Sequence, residues 1–171
     1  VILDSNLKIN LSSRVVKTSH KAKTIIFANA EHQNDTKIKN KVELLKEKNI
    51  NVMFVPSSRN SSKNSSAVET YTKLDISEVL KTMYNQFGIT STMLEAGPTL
   101  LTSFLVKKLI DKFYIFLAPR IVGESSYPMF SDLHIDRIED ALKIDFKTVR
   151  RIGEDILLIA YPKYNNDIRI H

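Results

Sequence analysis

The sequence contains no cysteine. Disulfides, thiolate metal ligands and cysteine nucleophiles are excluded together, and the absence fits a cytoplasmic protein. The four histidines, His20, His32, His134 and His171, lack metal-ligand spacing, so no zinc site is expected. Glycine and proline are scarce, at four and five residues, which argues against collagen-like or disordered chains. No apolar run approaches the roughly 18 residues that a membrane span needs. The longest, around 113–118 and 156–161, are strand-sized. The start has no signal-peptide pattern. Walker A, G-x-G-x-x-G and G-x-S-x-G motifs are missing, as is any recognisable RNA-binding motif.

What remains is an ordinary globular composition, 43% hydrophobic and 26% charged, in a chain of 171 residues. That length suggests one domain with a real core. The net charge of +6 is uneven. Residues 1–64 hold 12 Lys+Arg against 5 Asp+Glu, and the rest holds 13 against 14. A basic half attracts nucleic acid or a phosphorylated small molecule. The plainer reading is a solvated lysine face, and lysines 37, 39, 41, 46 and 48 on an amphipathic helix favour it. The chain opens directly on a strand without an initiator Met, and reads as an excerpt of a longer chain.

Apolar periodicity and turn formers predict the order of elements. Strands are expected at 1–4, 23–29, 50–55, 89–94 and 112–118. Helices are expected at 36–48 (capped by Asp35), 76–87 and 98–109. For the second, Asp75 and Glu78 have capping-box spacing, and Gly88 marks the stop. Residues 57–66 and 123–128 read as loops, and 138–141 as a helical turn. Residues 146–152 and 155–162 form a hairpin across Gly153-Glu154. The tail 163–171 is polar. Strand–helix alternation implies a mostly parallel sheet with helices on both faces, and the closing hairpin adds antiparallel edge strands. The fold class is a mixed-sheet α/β domain over residues 1–162.

The stretch "MLEAGPTLLTSFL", residues 93–105, carries the most chemistry. In open α/β sheets, ligands bind outside the carboxyl ends of strands. Gly97 permits close approach to the backbone. Pro98 suits the first helical position. The first-turn amides of Thr99, Leu100 and Leu101, with the helix dipole, offer an anion site to which the Thr99 hydroxyl adds a donor. A glycine-proline helix start also serves structure alone. Glu95, between Leu94 and Ala96 at a strand end, needs a partner: a ligand donor or a lysine. Asp4-Ser5 ends another strand at the same kind of edge, and by itself is turn chemistry. Tyr114 and Phe116 are expected in the core. Arg120 reads as a rim charge, with phosphate binding as the alternative.

"VILDSNLKI", followed by "MLEAGPTLLTSFLVKKLIDKFYIFLAPRIVG", resembles the reductase domain of riboflavin biosynthesis, commonly the C-terminal half of a bifunctional deaminase–reductase. "LEAGPTL", Leu-Ile-Asp at 109–111 and "APRIVG" at 118–123 match in order, and the resemblance runs to about Pro162. It implies a dihydrofolate-reductase-like fold, NADPH as hydride donor, and the phosphorylated pyrimidine 5-amino-6-(5-phosphoribosylamino)uracil as substrate, its ribosyl group becoming a ribityl chain. By the same resemblance Glu95 binds substrate. Ser5 and the run Gly97, Pro98, Thr99, Leu100, Leu101, Thr102 and Ser103 bind cofactor. A homodimer, a deaminase fused upstream, and no nucleic-acid, membrane or metal partner are implied too. The family pattern begins with a further strand, an Asp-Gly turn and a glycine–threonine stretch before the position matching Val1, so part of the site is expected here. The alternatives are another reductase of this fold, or a non-catalytic basic module that binds nucleic acid.

Overall fold

The computed structural model describes residues 1–58, 74–123, 126–131 and 133–164. Most of the loop expected at 57–66, part of that at 123–128, and the tail beyond Tyr164 lie outside the described residues. The described chain divides into two compact units, one holding residues 1–58 and 74–93, the other the described residues from 94 onward.

In the first unit, strands β1 (Ile2–Leu3), β2 (Thr24–Asn29) and β3 (Ile50–Val55) form a parallel sheet with β2 in the centre. All six residues of β2 are buried, as expected for a parallel strand covered on both faces. Its alternation divides the core. Ile26 and Ala28 pack with Leu7, Val16 and Leu45, and the last belongs to helix α2 (Thr36–Lys46). Ile25 and Phe27 pack with Val79 and Met83 of helix α3 (Ile76–Phe87). Helices thus cover both faces of the parallel sheet, as the sequence alternation implies.

Local chemistry sets the helix ends. Asp35 Oδ1 accepts from the Lys37 and Ile38 amides. Asp75 Oδ1 accepts from those of Ser77 and Glu78. The expected capping box closes on one side only, because Glu78 pairs with Lys81 while the Asp75 amide donates to the Pro56 carbonyl. Gly88, at φ 65°, ends α3 with its amide on Tyr84 and the Ile89 amide on Met83. Helix α2 stops two residues earlier than expected, before Asn49 at φ 58°. A four-residue helix, α1 (Arg14–Lys17), lies in a segment whose sequence gives no periodic signal, held by buried Val16.

Residues 89–94 are not a strand. Among the described residues no ladder pairs with them, and Thr90 to Met93 are exposed. Only Ile89 packs on the first unit's core, and β-branched residues make a strand only where a partner strand is bonded.

In the second unit, helix α4 (Pro98–Val106) precedes an antiparallel sheet. Strands β4 (Phe113–Leu117), β5 (Lys143–Ile152) and β6 (Asp155–Lys163) lie in the order β4-β6-β5. The hairpin turns at Gly153-Glu154, with Gly153 at φ 60° and Ile152 opposite Asp155. The described ladders are therefore two three-stranded sheets, one parallel and one antiparallel. Helix α4 ends at Val106 rather than 109, because Lys108 turns left-handed at φ 56° and the Leu109 amide reaches back to Phe104. Phe113 is buried, but Tyr114 and Phe116 are 50% and 60% exposed, against the expectation that they are core. They occupy the other side of the pleat from Phe113.

Candidate active site

At the carboxyl end of β1 the chain turns at once. The Leu7 amide donates to the Asp4 carbonyl, and Leu7 takes φ 49° while staying buried. Asp4 Oδ2 accepts from the Ile9 amide at 2.7 Å, so this carboxylate is spent on the turn. The Ser5 carbonyl accepts from the Asn29 amide, which ties the ends of β1 and β2 together. The Ser5 hydroxyl is half-buried and makes no hydrogen bond among the described residues.

The same edge gathers polar groups that the sequence reading passed over. Buried Asn29 bonds the Glu31 amide and carboxylate, Glu31 accepts from Ser57 Oγ, and His32 Nε2 lies 3.2 Å from Asn6 Oδ1. These residues follow the ends of all three parallel strands, where ligands of open α/β sheets bind. Their positions immediately after predicted strands were the available signal.

In the second unit, Gly97 caps α4 with φ −74° and ψ 174°, and no side chain caps the helix. A Cβ on Gly97 would meet nothing within 4 Å. Neither backbone strain nor internal packing therefore demands glycine there. The Thr99 and Leu100 amides have no partner among the described residues, whereas the Leu101 amide donates to the Gly97 carbonyl at 3.1 Å. The anion site thus has two helical amides rather than the expected three. An unpaired, uncapped helix start still fits a phosphate oxygen, through its donors and its dipole.

The last two residues of the expected cofactor run face inward. Thr102 is fully buried and its Oγ1 accepts from the Ser131 amide at 2.8 Å. Ser103 is 4% exposed and donates to the Thr99 carbonyl. Pro98 and Leu100 are half-buried, Thr99 exposed. Glu95 is exposed and makes no hydrogen bond or ion pair among the described residues. The burial cost expected of its carboxylate does not arise, because no strand forms around it. Arg120 is the expected rim charge, 3.8 Å from Glu154 with both side chains largely exposed.

A parallel sheet with helices on both faces in one unit, and a helix followed by an antiparallel sheet in the other, define the class, a mixed-sheet α/β chain. Residues 1–158 match the RibD C-terminal domain, and the chain belongs to that family. It is 32% identical over 164 residues to the riboflavin biosynthesis protein RibD of Aquifex aeolicus, covering 96% of this chain and 38% of that protein. It is 36% identical over 91 residues to the 5-amino-6-(5-phosphoribosylamino)uracil reductase of Buchnera aphidicola from Acyrthosiphon pisum, covering 53% of this chain and 44% of that protein. The structure of Acinetobacter baumannii RibD superposes with a TM-score of 0.68 at 19% identity, over 95% of this chain and 37% of that one. The chain spans less than half the length of each of these relatives.

Proposed function

We propose that this chain is a reductase domain, residues 1–162, that reduces the ribosyl group of 5-amino-6-(5-phosphoribosylamino)uracil to a ribityl chain with NADPH. The observation that carries the reading is the start of α4, where two amides without partners among the described residues follow an unstrained, unobstructed glycine, and Glu95, two residues before it, is likewise unpaired among them. The Buchnera relative carries the name of this reductase.

The chain's residues fit the cofactor. Gly97, Thr99 and Leu100 would hold a phosphate by backbone N–H groups, and the exposed Thr99 hydroxyl adds a donor. The Ser5 hydroxyl, without a hydrogen bond among the described residues, would be a cofactor contact on the first unit, as the resemblance implies. Thr102 and Ser103 would support the helix from inside rather than touch the ligand, because their hydroxyls are buried and bonded. When bound, NADPH would supply the hydride for reduction at C1′ of the opened sugar. Glu95 would accept hydrogen bonds from substrate hydroxyl or ring N–H groups and hold C1′ at reacting distance; both of its oxygens are without partners among the described residues.

The reading extends to a homodimer in the cytoplasm, joined in the full-length protein to a deaminase domain as the greater length of the relatives suggests. No helix among the described residues is long and apolar enough to cross a membrane. The test is direct. The purified protein is mixed with NADPH, and nicotinamide fluorescence and the 340 nm absorbance are followed with and without the ribosylaminouracil phosphate. Saturable binding and substrate-dependent oxidation are expected. Failure to bind NADPH, with salt-sensitive RNA binding instead, overturns the reading in favour of a basic nucleic-acid module.

A further inference from the structure

A second feature of the first unit is a concentration of positive charge beside the β1 turn. Lys8, Ile9, Asn10 and Leu11, after the β1 turn, face Lys37, Asn40, Lys41 and Leu44 of α2 across a groove of about 570 Å³. Lys37 and Lys41 are four apart on one helix face, a like-charge spacing that destabilises a helix. Lys37 also sits in the first turn, where the dipole disfavours a cation, and that turn has no acidic residue. Lys8 adds a third ammonium from the opposite wall. Among the described residues no carboxylate lines the groove and none of the three lysines forms an ion pair.

The groove is held in shape. Lys41 Nζ donates to the Leu7 carbonyl at 2.7 Å, and Asp4 Oδ2 holds the Ile9 amide. Asn10 Oδ1 is taken by the Ser12 amide and hydroxyl, which leaves its amide nitrogen to offer. Leu44, 43% exposed, with half-buried Ile9 and Leu11, gives the groove an apolar wall. The groove is shallow and widely open to solvent.

We propose that this groove binds a phosphorylated small molecule with a planar body, of the nucleoside di- or triphosphate class. Lys8, Lys37 and Lys41 hold the phosphates, Ile9, Leu11 and Leu44 pack on the planar ring, and Asn10 and Asn40 meet its polar edge. None of these residues belongs to the proposed cofactor or substrate contacts.

The test is an NMR titration of the protein with ATP and, separately, inorganic pyrophosphate. ATP is expected to shift the amides of 8–11 and 37–44 and the methyl groups of Leu11 and Leu44. Pyrophosphate is expected to shift the lysine-bearing segments alone and to bind about tenfold more weakly. A Lys8→Glu/Lys37→Glu double variant, with an unchanged circular dichroism spectrum and melting temperature, should lose at least about tenfold in ATP affinity while keeping its NADPH affinity. Gly97→Asp, which impairs the proposed NADPH contacts, should leave the ATP shifts intact, so the two sites fail independently. Absence of shifts at 8–11 and 37–44, their persistence in the double variant, or equal affinity for pyrophosphate and ATP overturns the proposal. So does a single-stranded RNA oligonucleotide that displaces ATP and binds more tightly through the same lysines.

Discussion

Thr102 Oγ1, fully buried in the second turn of α4, accepts a 2.8 Å hydrogen bond from the backbone N–H of Ser131. That bond fastens a loop residue to the helix whose first turn holds the free amides. Next to Ser131, Phe130 meets Phe113 of β4 edge-on at 6.1 Å. Thr102→Val keeps the shape but strands a polar N–H, at a cost of about 1–3 kcal/mol. Urea unfolding should register the loss, and hydrogen exchange should accelerate at Ser131. Thr102→Ser retains the acceptor and should restore the protection of that amide. Equal protection in the Val and Ser variants would count against the bond.

Gly97→Asp separates ligand binding from folding. Asp is as good an N-cap as Gly or better by a few tenths of a kcal/mol, and the added Cβ meets nothing. Thermal stability should therefore hold or rise slightly. NADPH affinity should fall by about tenfold or more, because a carboxylate would take the first-turn amides and repel phosphate. A stability loss in step with the affinity loss would show that glycine serves the fold.

For Glu95→Gln, weaker substrate binding with NADPH affinity nearly unchanged is expected. The side chain is exposed and unbonded among the described residues, so the melting temperature should stay constant. KM for the ribosylaminouracil phosphate is the readout. A collapse of NADPH binding with a loosened fold would assign Glu95 to structure.

In the antiparallel sheet, the Lys147 ammonium, 2.8 Å away, holds the Asp145 carboxyl below its ordinary value, with a weaker contribution from Lys163. A depressed folded pKa contributes stability above the unfolded carboxylate value and loses it as pH falls through the folded one. Side-chain carboxyl shifts followed by NMR from neutral to acid pH should place Asp145 below a free aspartate. Lys147→Ala should return it toward the ordinary value. Exposure keeps the effect on global stability small.

The first unit was largely legible in the sequence. The apolar run at 50–55 and the acids at Asp35 and Asp75 set element limits by short-range chemistry, and β3 and both helix starts fall where those signals place them. The stretch 89–94 was not, because β-branched content reports fitness for a strand while pairing depends on a partner distant in sequence. Tyr114 and Phe116 misled for a related reason: alternation reveals two faces without saying which is covered. At the helix start, the sequence supplied Gly97 and Pro98 but not the donation of the Leu101 amide to Gly97, and it did not reveal that Thr102 and Ser103 turn inward. The polar edge of Asn6, Asn29, Glu31 and His32 is assembled by parallel pairing, which no local pattern encodes.

The two sheets also differ in how far the chain must travel to close them. In the hairpin, Ile152 pairs with Asp155 and each further rung follows from its neighbour, so β5 and β6 can zip from a two-residue turn on the timescale of about 1–10 μs. In the parallel sheet, Ile2 must find Ile26 and Thr24 must find Ile50 before any rung is bonded, so loop closure precedes reward. Folding is therefore expected to begin at the carboxyl-terminal hairpin, with β2, the strand buried along its whole length, among the last to lose solvent.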